Sequence, residues 1–134
     1  MLIVLDTNVL VSGLLNPFGA PGRVLDLILA GTVQVAFDDR VLAEYAEVLA
    51  RPRLGTRPAR ARALLGFLRL SGLRVTAHPM HPGEAHDASD LPFAEVASAA
   101  HVDALVTGNA RRYAFLEQDR VAALSQAEFL ARVA

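Results

Sequence analysis

The chain has 134 residues, enough for one domain with a shared core and too few for two independent ones. At 53% apolar and 6% aromatic residues it predicts an aliphatic core, and a formal net charge of −1 argues against gripping nucleic acid through total charge. Absence of cysteine excludes disulfides, thiolate nucleophiles and sulfur-ligated zinc, and absence of lysine excludes the phosphate-binding lysine of a P-loop.

Residues 2–5, LIVL, are a short apolar run suited to a buried parallel strand that stops at Asp6. The opening MLIVLDTNVLVSGLL has no basic leader, is interrupted by Asp6 and Asn8, and is too short to span a bilayer, so a cytoplasmic location without membrane contact is expected. Asn16, Pro17, Gly19, Pro21 and Gly22 mark a loop, after which Val24, Leu25, Ile28 and Leu29 repeat with helical spacing up to a C-capping Gly31. A second strand follows at residues 33–37. Asp38 or Asp39 then caps a helix whose buried face is Val41, Leu42, Tyr45, Val48 and Leu49, and Arg51-Pro52 ends it. The next helix opens near Pro58, buries Leu64, Leu65 and Leu68, and stops at Ser71-Gly72 before a weaker strand at residues 73–76.

Residues 77–89 hold prolines, a glycine and three histidines and read as a loop. Helical periodicity resumes over residues 91–101 through Phe93, Val96, Ala97 and Ala100, with His101 at the helix end. A fourth strand spans residues 104–107, a fifth spans 121–124, and Ser125 with Glu128 forms a capping box for a terminal helix. Repeated strand and helix alternation predicts an α/β three-layer sandwich in a single domain, residues 1–134, around a central parallel sheet of about five strands. In such a doubly wound sheet the first strand lies beside the fourth, where strand order reverses and a crevice opens.

Several acids fall where they can reach that crevice. Asp6 follows a strand end, and Thr7 and Asn8 can orient its carboxylate; taken alone, it reads equally well as a turn residue. Glu44 lies about two turns inside its helix, at the border of the packed face, where an isolated acid is ordinarily just solvated. Glu47 is the better ordinary surface acid. Asp90 stands at or just before a helix and reads locally as a simple N-cap as well as a site acid, with Asp87 three residues earlier facing the same crevice or organising the turn. His78, His81 and His86, with Glu84 nearby, lack the spacing of a strong zinc signature and read as exposed loop residues.

Three segments, LDTNVLVSGLL, VLAEYAEVL and DASDLPFAEVASAAHVDALVTGN, span nearly the whole chain and together resemble the PIN-domain ribonuclease family, in particular the VapC-like toxins of bacterial toxin–antitoxin systems. The resemblance implies a PIN-like fold and a metal-dependent endoribonuclease that hydrolyses RNA phosphodiester bonds. It implies Asp6, Glu44 and Asp90 as the catalytic and metal-binding acids for Mg2+ or Mn2+, with Asp87 and Asn109 as outer ligands and Thr7, Asn8 and Thr107 tuning the site or touching phosphate. It further implies RNA, a cognate antitoxin protein and a homodimeric partner. Residues 48–83 carry seven arginines and no acid, and Arg51, Arg53 and Arg57 lie in a turn-rich approach where they can guide RNA or, as readily, form a solvated face with salt bridges.

The sequence departs from the family after the fourth strand. Many relatives carry acids there, whereas this chain reads Thr107-Gly108-Asn109-Ala110-Arg111; Asn109 offers only a neutral oxygen and Arg111 no ligand at all. A second cation is therefore expected to bind less strongly, and a noncatalytic RNA-binding or regulatory PIN-like protein is the alternative. Phosphomonoester hydrolysis is disfavoured, because LDTN lacks the paired acidic opening of haloacid-dehalogenase-like phosphatases and no lysine can clamp phosphate. A receiver domain is disfavoured for the same missing lysine.

Overall fold

The computed structural model describes residues 1–80, 85 and 87–133. Strands β1 (Leu2–Leu5), β2 (Gln34–Phe37), β3 (Leu73–Arg74), β4 (Ala104–Val106) and β5 (Ala123–Leu124) form one parallel sheet in the order β3-β2-β1-β4-β5. Helices α1 (Thr7–Leu15), α2 (Ala20–Leu29), α3 (Asp39–Leu49), α4 (Pro58–Ser71), α5 (Leu91–Ala100) and α6 (Gln126–Val133) flank it. Among the described residues no helix is long and apolar enough to cross a membrane.

Strand β1 is central because it is apolar throughout: Ile3, Val4 and Leu5 are wholly buried, as a strand covered by helices on both faces must be. It pairs with β2 through Leu2 and Gln34 and through Ile3 and Val35, and with β4 through Ile3 and Ala104, Val4 and Leu105, and Leu5 and Val106. The first and fourth strands are thus neighbours, as the alternating pattern predicts. Helix α5 packs on β1, β2 and β4, while α4 packs on α3 and β2. Buried Glu95 on α5 accepts from Arg40 Nη1 at 2.7 Å and from the Met80 amide at 2.7 Å, tying the segment that follows β3 to the start of α3.

Five local expectations need correction. Residues 7–15 form a helix, α1, that the sequence pattern did not reveal, because VLVSGLL is apolar nearly all round and carries little period of its own. Helix α2 begins at Ala20 and takes in Pro21 and Gly22, which had read as loop; proline is tolerated in a first turn, where its missing amide hydrogen has no partner to lose. Strands β3 and β5 are two residues each, shorter than expected, although single bonds from the Val75 amide to the Phe37 carbonyl (2.8 Å) and from the Thr107 amide to the Leu124 carbonyl (2.9 Å) extend the ladders. A kinked 3-10 segment, Ala110–Asp119, occupies a stretch to which no element had been assigned. Val48 and Leu65, expected in the core, are half-buried.

Other punctuation reads as expected. Asp38 caps α3 by accepting from the Val41 amide at 3.0 Å, and His101 ends α5 in the left-handed region at φ 50°. Gly31, just past α2, has φ 81°, which glycine adopts without steric cost. Ser125 and Glu128 form the reciprocal capping box, with the Glu128 amide on Ser125 Oγ at 3.1 Å and the Ser125 amide on Glu128 Oε1 at 3.0 Å. His81, Glu84 and His86 lie outside the described residues.

Gly22 marks the close approach of α2 to the preceding loop: a Cβ there would stand 2.2 Å from the Pro17 carbonyl oxygen, a backbone atom that cannot swing aside. Gly22→Ala is expected to destabilise the protein by about 1–3 kcal/mol in urea denaturation. The Glu128 carboxyl is held below its ordinary value of 4.5 by its bonds to the Ser125 backbone and side chain, so its stabilising effect is complete above that value and fades as pH falls through the lowered one. Glu128→Ala is therefore expected to lower the melting temperature at neutral pH, and the gap from wild type, followed by circular dichroism across an acid series, is expected to narrow below pH 4.5.

Candidate functional site

The β1–β4 ladder runs one bond beyond β1, because the Asp6 amide donates to the Val106 carbonyl at 2.9 Å. That bond sets Asp6 beside the buried Thr107, whose hydroxyl donates to Asp6 Oδ2 at 2.7 Å. Asn8 Nδ2 approaches the same oxygen at 3.4 Å, and Asn8 Oδ1 accepts from the Gly108 amide at 3.1 Å. The Asn109 amide donates to Thr107 Oγ1 at 3.1 Å. The loops after β1 and β4 are thereby cross-tied around Asp6 at the carboxyl end of the sheet, where strand order reverses.

Glu44 reaches this place through its neighbour. Tyr45 is wholly buried and its hydroxyl donates to the Leu5 carbonyl, which pins α3 against the end of β1 and turns half-buried Glu44 toward the same end. The Thr7 hydroxyl donates to Glu44 Oε2. Glu47, one helical turn on, is exposed and pairs with exposed Arg51 at 3.0 Å, the ordinary surface arrangement expected of it.

Asp90 closes the 3-10 turn Ala88–Asp90 and precedes α5, but its side chain makes no capping bond; Asp87 accepts from the Ser89 amide at 2.9 Å instead. The simple N-cap reading of Asp90 therefore fails. Its nearly buried carboxylate is gripped by Arg112, with Nε on Oδ2 at 2.9 Å and Nη2 on Oδ1 at 2.8 Å, and the Tyr113 hydroxyl reaches Oδ1 at 3.3 Å. Arg112 Nη2 also lies 3.3 Å from Asp87 Oδ2.

Asp6 lies within electrostatic reach of the other two acids. Burial pushes the Asp6 carboxyl above its ordinary value, the bonds from Thr107 and the Thr7 backbone act against that, and the charges of Asp90 and Glu44 add to the rise. Burial likewise raises Tyr45, with Asp6 and Glu44 adding to it, and raises Tyr113, with Asp6 and Asp90 adding to it, so both phenols stay neutral donors. A crowded set of carboxylate and hydroxyl oxygens has the donor chemistry of a hard divalent cation such as Mg2+ or Mn2+. As arranged, however, no group of three or more such residues stands in metal-holding geometry among the described residues. Each acid is instead engaged by a protein donor: Asp6 by Thr107, Glu44 by Thr7, Asp90 by Arg112.

The arginines of the acid-free segment lie apart from these acids. Arg53 is exposed, and Arg57 lines a hollow with Leu14, Leu15 and Arg60 at the far end of α1 from Asp6. Leu14 is seven residues past Thr7, about 10 Å along the helix axis. Asn109 and Arg111 are exposed and share an open cleft with Asp87 and Arg112. Sequence reasoning missed Arg112 and Tyr113; the available signal was an Arg-Arg-Tyr run directly after the Thr-Gly-Asn of the fourth strand.

Because ionised Asp6 is disfavoured by burial and by two like charges, Asp6→Asn removes a cost to the folded state. The variant is expected to melt a few degrees above wild type at neutral pH in the presence of a chelator, as read by calorimetry.

Comparison with known proteins agrees with this architecture. A model of the PIN domain matches residues 2–111. Over 52 residues the chain is 38% identical to an uncharacterized protein of Methanocaldococcus jannaschii, a match that covers 39% of this chain and spans about a third, 34%, of that relative. Among solved structures it is similar to a chain of FitAB bound to an IR36 DNA fragment, with TM-score 0.63 and 18% identity over 94% of this chain and 95% of that one. It is also similar to a chain of VapBC2 from Rickettsia felis bound to a DNA fragment from their promoter, with TM-score 0.59 and 18% identity over 93% of this chain and 98% of that one. At that identity the likeness is one of fold. Since the matched segment takes in most of the chain, from β1 through β4 and the residues around Asp6, Glu44 and Asp90, this protein belongs to the PIN-domain family.

Proposed function

We propose that this protein is a metal-dependent endoribonuclease that hydrolyses RNA phosphodiester bonds in the cytoplasm, as the toxin of a toxin–antitoxin pair. One observation carries the reading: acids from the end of β1, from α3 and from the start of α5 gather at the carboxyl end of the sheet, with Glu44 on the hydroxyl of Thr7 next to Asp6 and the charges of Asp90 and Glu44 both bearing on Asp6. Acids crowded in a half-buried cleft reduce stability unless a cation offsets them, which gives their placement a purpose beyond folding.

In this reading Asp6, Glu44 and Asp90 hold Mg2+ or Mn2+, and Asp87 and Asn109 act as outer ligands. When bound, such a cation lowers the pKa of a coordinated water and offsets charge building on the phosphoryl oxygens. Thr107 and Asn8 fix the Asp6 carboxylate through their bonds to Oδ2, and Thr7 fixes Glu44. The exposed Asn109 lines the open cleft with Asp87, Arg111 and Arg112, and in this reading it meets phosphate there. No side-chain nucleophile is needed. Arg51, Arg53 and Arg57, exposed on the acid-free segment, steer the RNA backbone. An antitoxin is the partner in this reading, in keeping with the fold likeness to VapBC2 and FitAB chains, and a second copy of this chain completes the proposed assembly.

A second reading, a noncatalytic RNA-binding protein, is favoured by one feature: Asn109 and Arg111 stand where acids would strengthen the site, and Arg112 already neutralises Asp90. Purified wild type, Asp6→Asn and Asp90→Asn, incubated with a diverse RNA pool over a range of Mg2+ and Mn2+, separate the two. Wild type is expected to cleave only with divalent cation, and each variant to lose roughly 100-fold or more in rate. Folded wild type that binds the pool without cutting it at any metal concentration would establish the second reading; variants that cut as fast as wild type would remove these acids from the chemistry.

A further inference from the structure

Asp90 already has a cation. The fork from Arg112 takes both of its oxygens, at 2.9 and 2.8 Å, in the two-pronged geometry that makes guanidinium–carboxylate pairs strong. The Asp90 side chain is 8% exposed and that of Arg112 35%, so the pair sits at the floor of the cleft with its positive half toward solvent. Burial works against the charge on Arg112, and Asp90, with smaller contributions from Tyr113 and Asp87, more than restores it. A hard divalent cation cannot share those two oxygens with the guanidinium without placing like charges side by side.

The same contacts show where the guanidinium can go. Arg112 Nη2 is already 3.3 Å from Oδ2 of Asp87, whose side chain is 55% exposed, and Arg112 opens onto the cleft it lines with Asp87, Asn109 and Arg111. Release of Asp90 would therefore leave Arg112 beside a carboxylate at the cleft rim. Tyr113, neutral and buried, can keep its hydroxyl on Asp90 Oδ1 and hold that carboxylate in place while its partner changes. On the ribonuclease reading given above, on which this inference rests, we propose that Arg112 is an internal counter-ion that exchanges with the divalent cation at Asp90. In the metal-free chain it keeps a buried carboxylate neutralised; in the loaded chain it stands at the rim next to Arg111, facing incoming phosphate. Arg112 is thus a positioning residue that sets the metal concentration at which the site fills.

Mn2+ binding, followed by the loss of the free-ion paramagnetic resonance signal without RNA, tests this on wild type, Arg112→Gln and Arg112→Lys. Arg112→Gln is expected to bind Mn2+ roughly tenfold more tightly than wild type while melting lower in chelator, because competition is lifted and a buried carboxylate is left uncompensated. Arg112→Lys, which keeps the charge but not the fork, is expected to fall between them, and it is the variant to read if the glutamine form does not fold. A side chain that only held the fold would lower stability and metal affinity together, so opposite signs identify the exchange. Mn2+ binding by wild type that neither variant strengthens overturns the counter-ion role and leaves the ribonuclease reading standing. Failure of wild type and variants alike to bind Mn2+ overturns both.

Discussion

Everything at this site depends on the side-by-side pairing of β1 with β4. Two strands roughly a hundred residues apart in sequence are brought into register with Leu5 opposite Val106, and the next amide, that of Asp6, still bonds across to Val106. An ionisable side chain just past the end of one apolar strand is thereby set against a buried threonine just past the end of another. A slip of one residue in that register would point Asp6 to the other face of the sheet and sever its bond to Thr107. Parallel pairing requires helical crossovers, and these crossovers deliver α3 and α5, with Glu44 and Asp90, to the same end.

Crowding negative groups there opposes folding, and the chain answers with neutral or cationic donors drawn from whichever element lies nearest. Hydroxyls serve Asp6 and Glu44, and a guanidinium serves Asp90, the most buried of the three. Tyr45 and Tyr113 connect the core to the site from below: each is wholly buried or nearly so, Tyr45 placing its hydroxyl on the Leu5 carbonyl at the end of β1 and Tyr113 on the Asp90 carboxylate. Polar groups that would be costly if left unmatched are thus matched, and no buried side-chain nitrogen or oxygen lacks a partner among the described residues. Stability at this end rests on these few bonds, and under the proposed function substitutions there are read in activity as well.

How much of this the residues announce depends on how local each feature is. Strand β1, helices α3 to α5 and the capping box are bounded by punctuation that acts within a few positions, such as Asp38, Arg51-Pro52, Ser71-Gly72 and Ser125. Helix α1 is silent because its residues are apolar toward α2 as well as toward the core, so the contrast that marks a helical face is absent. The segment Ala110–Asp119 is silent because 3-10 geometry has no 3.6-residue period to display. Position placed Asp6 at a strand end and Glu44 at the edge of a packed face but left each with an ordinary reading, as a turn residue and a solvated acid, and the family resemblance singled them out. Asp90 was ambiguous because a cap and a site acid occupy the same place in sequence, and only its pairing with Arg112, 22 residues on, in place of a capping bond removes the cap reading. Such a pairing is a product of tertiary structure, and no spacing rule anticipates it.

The sheet has very short margins. At one border β3 offers only Leu73 and Arg74, and at the other β5 offers only Ala123 and Leu124. Little main chain is left there for an incoming strand to zip onto, and the Arg74 side chain, packed over the Phe37 ring and paired with Asp39, adds a charge beside it. Growth by strand addition, the common route to unwanted fibres, is discouraged at both borders, and any second chain is directed onto helical surfaces instead.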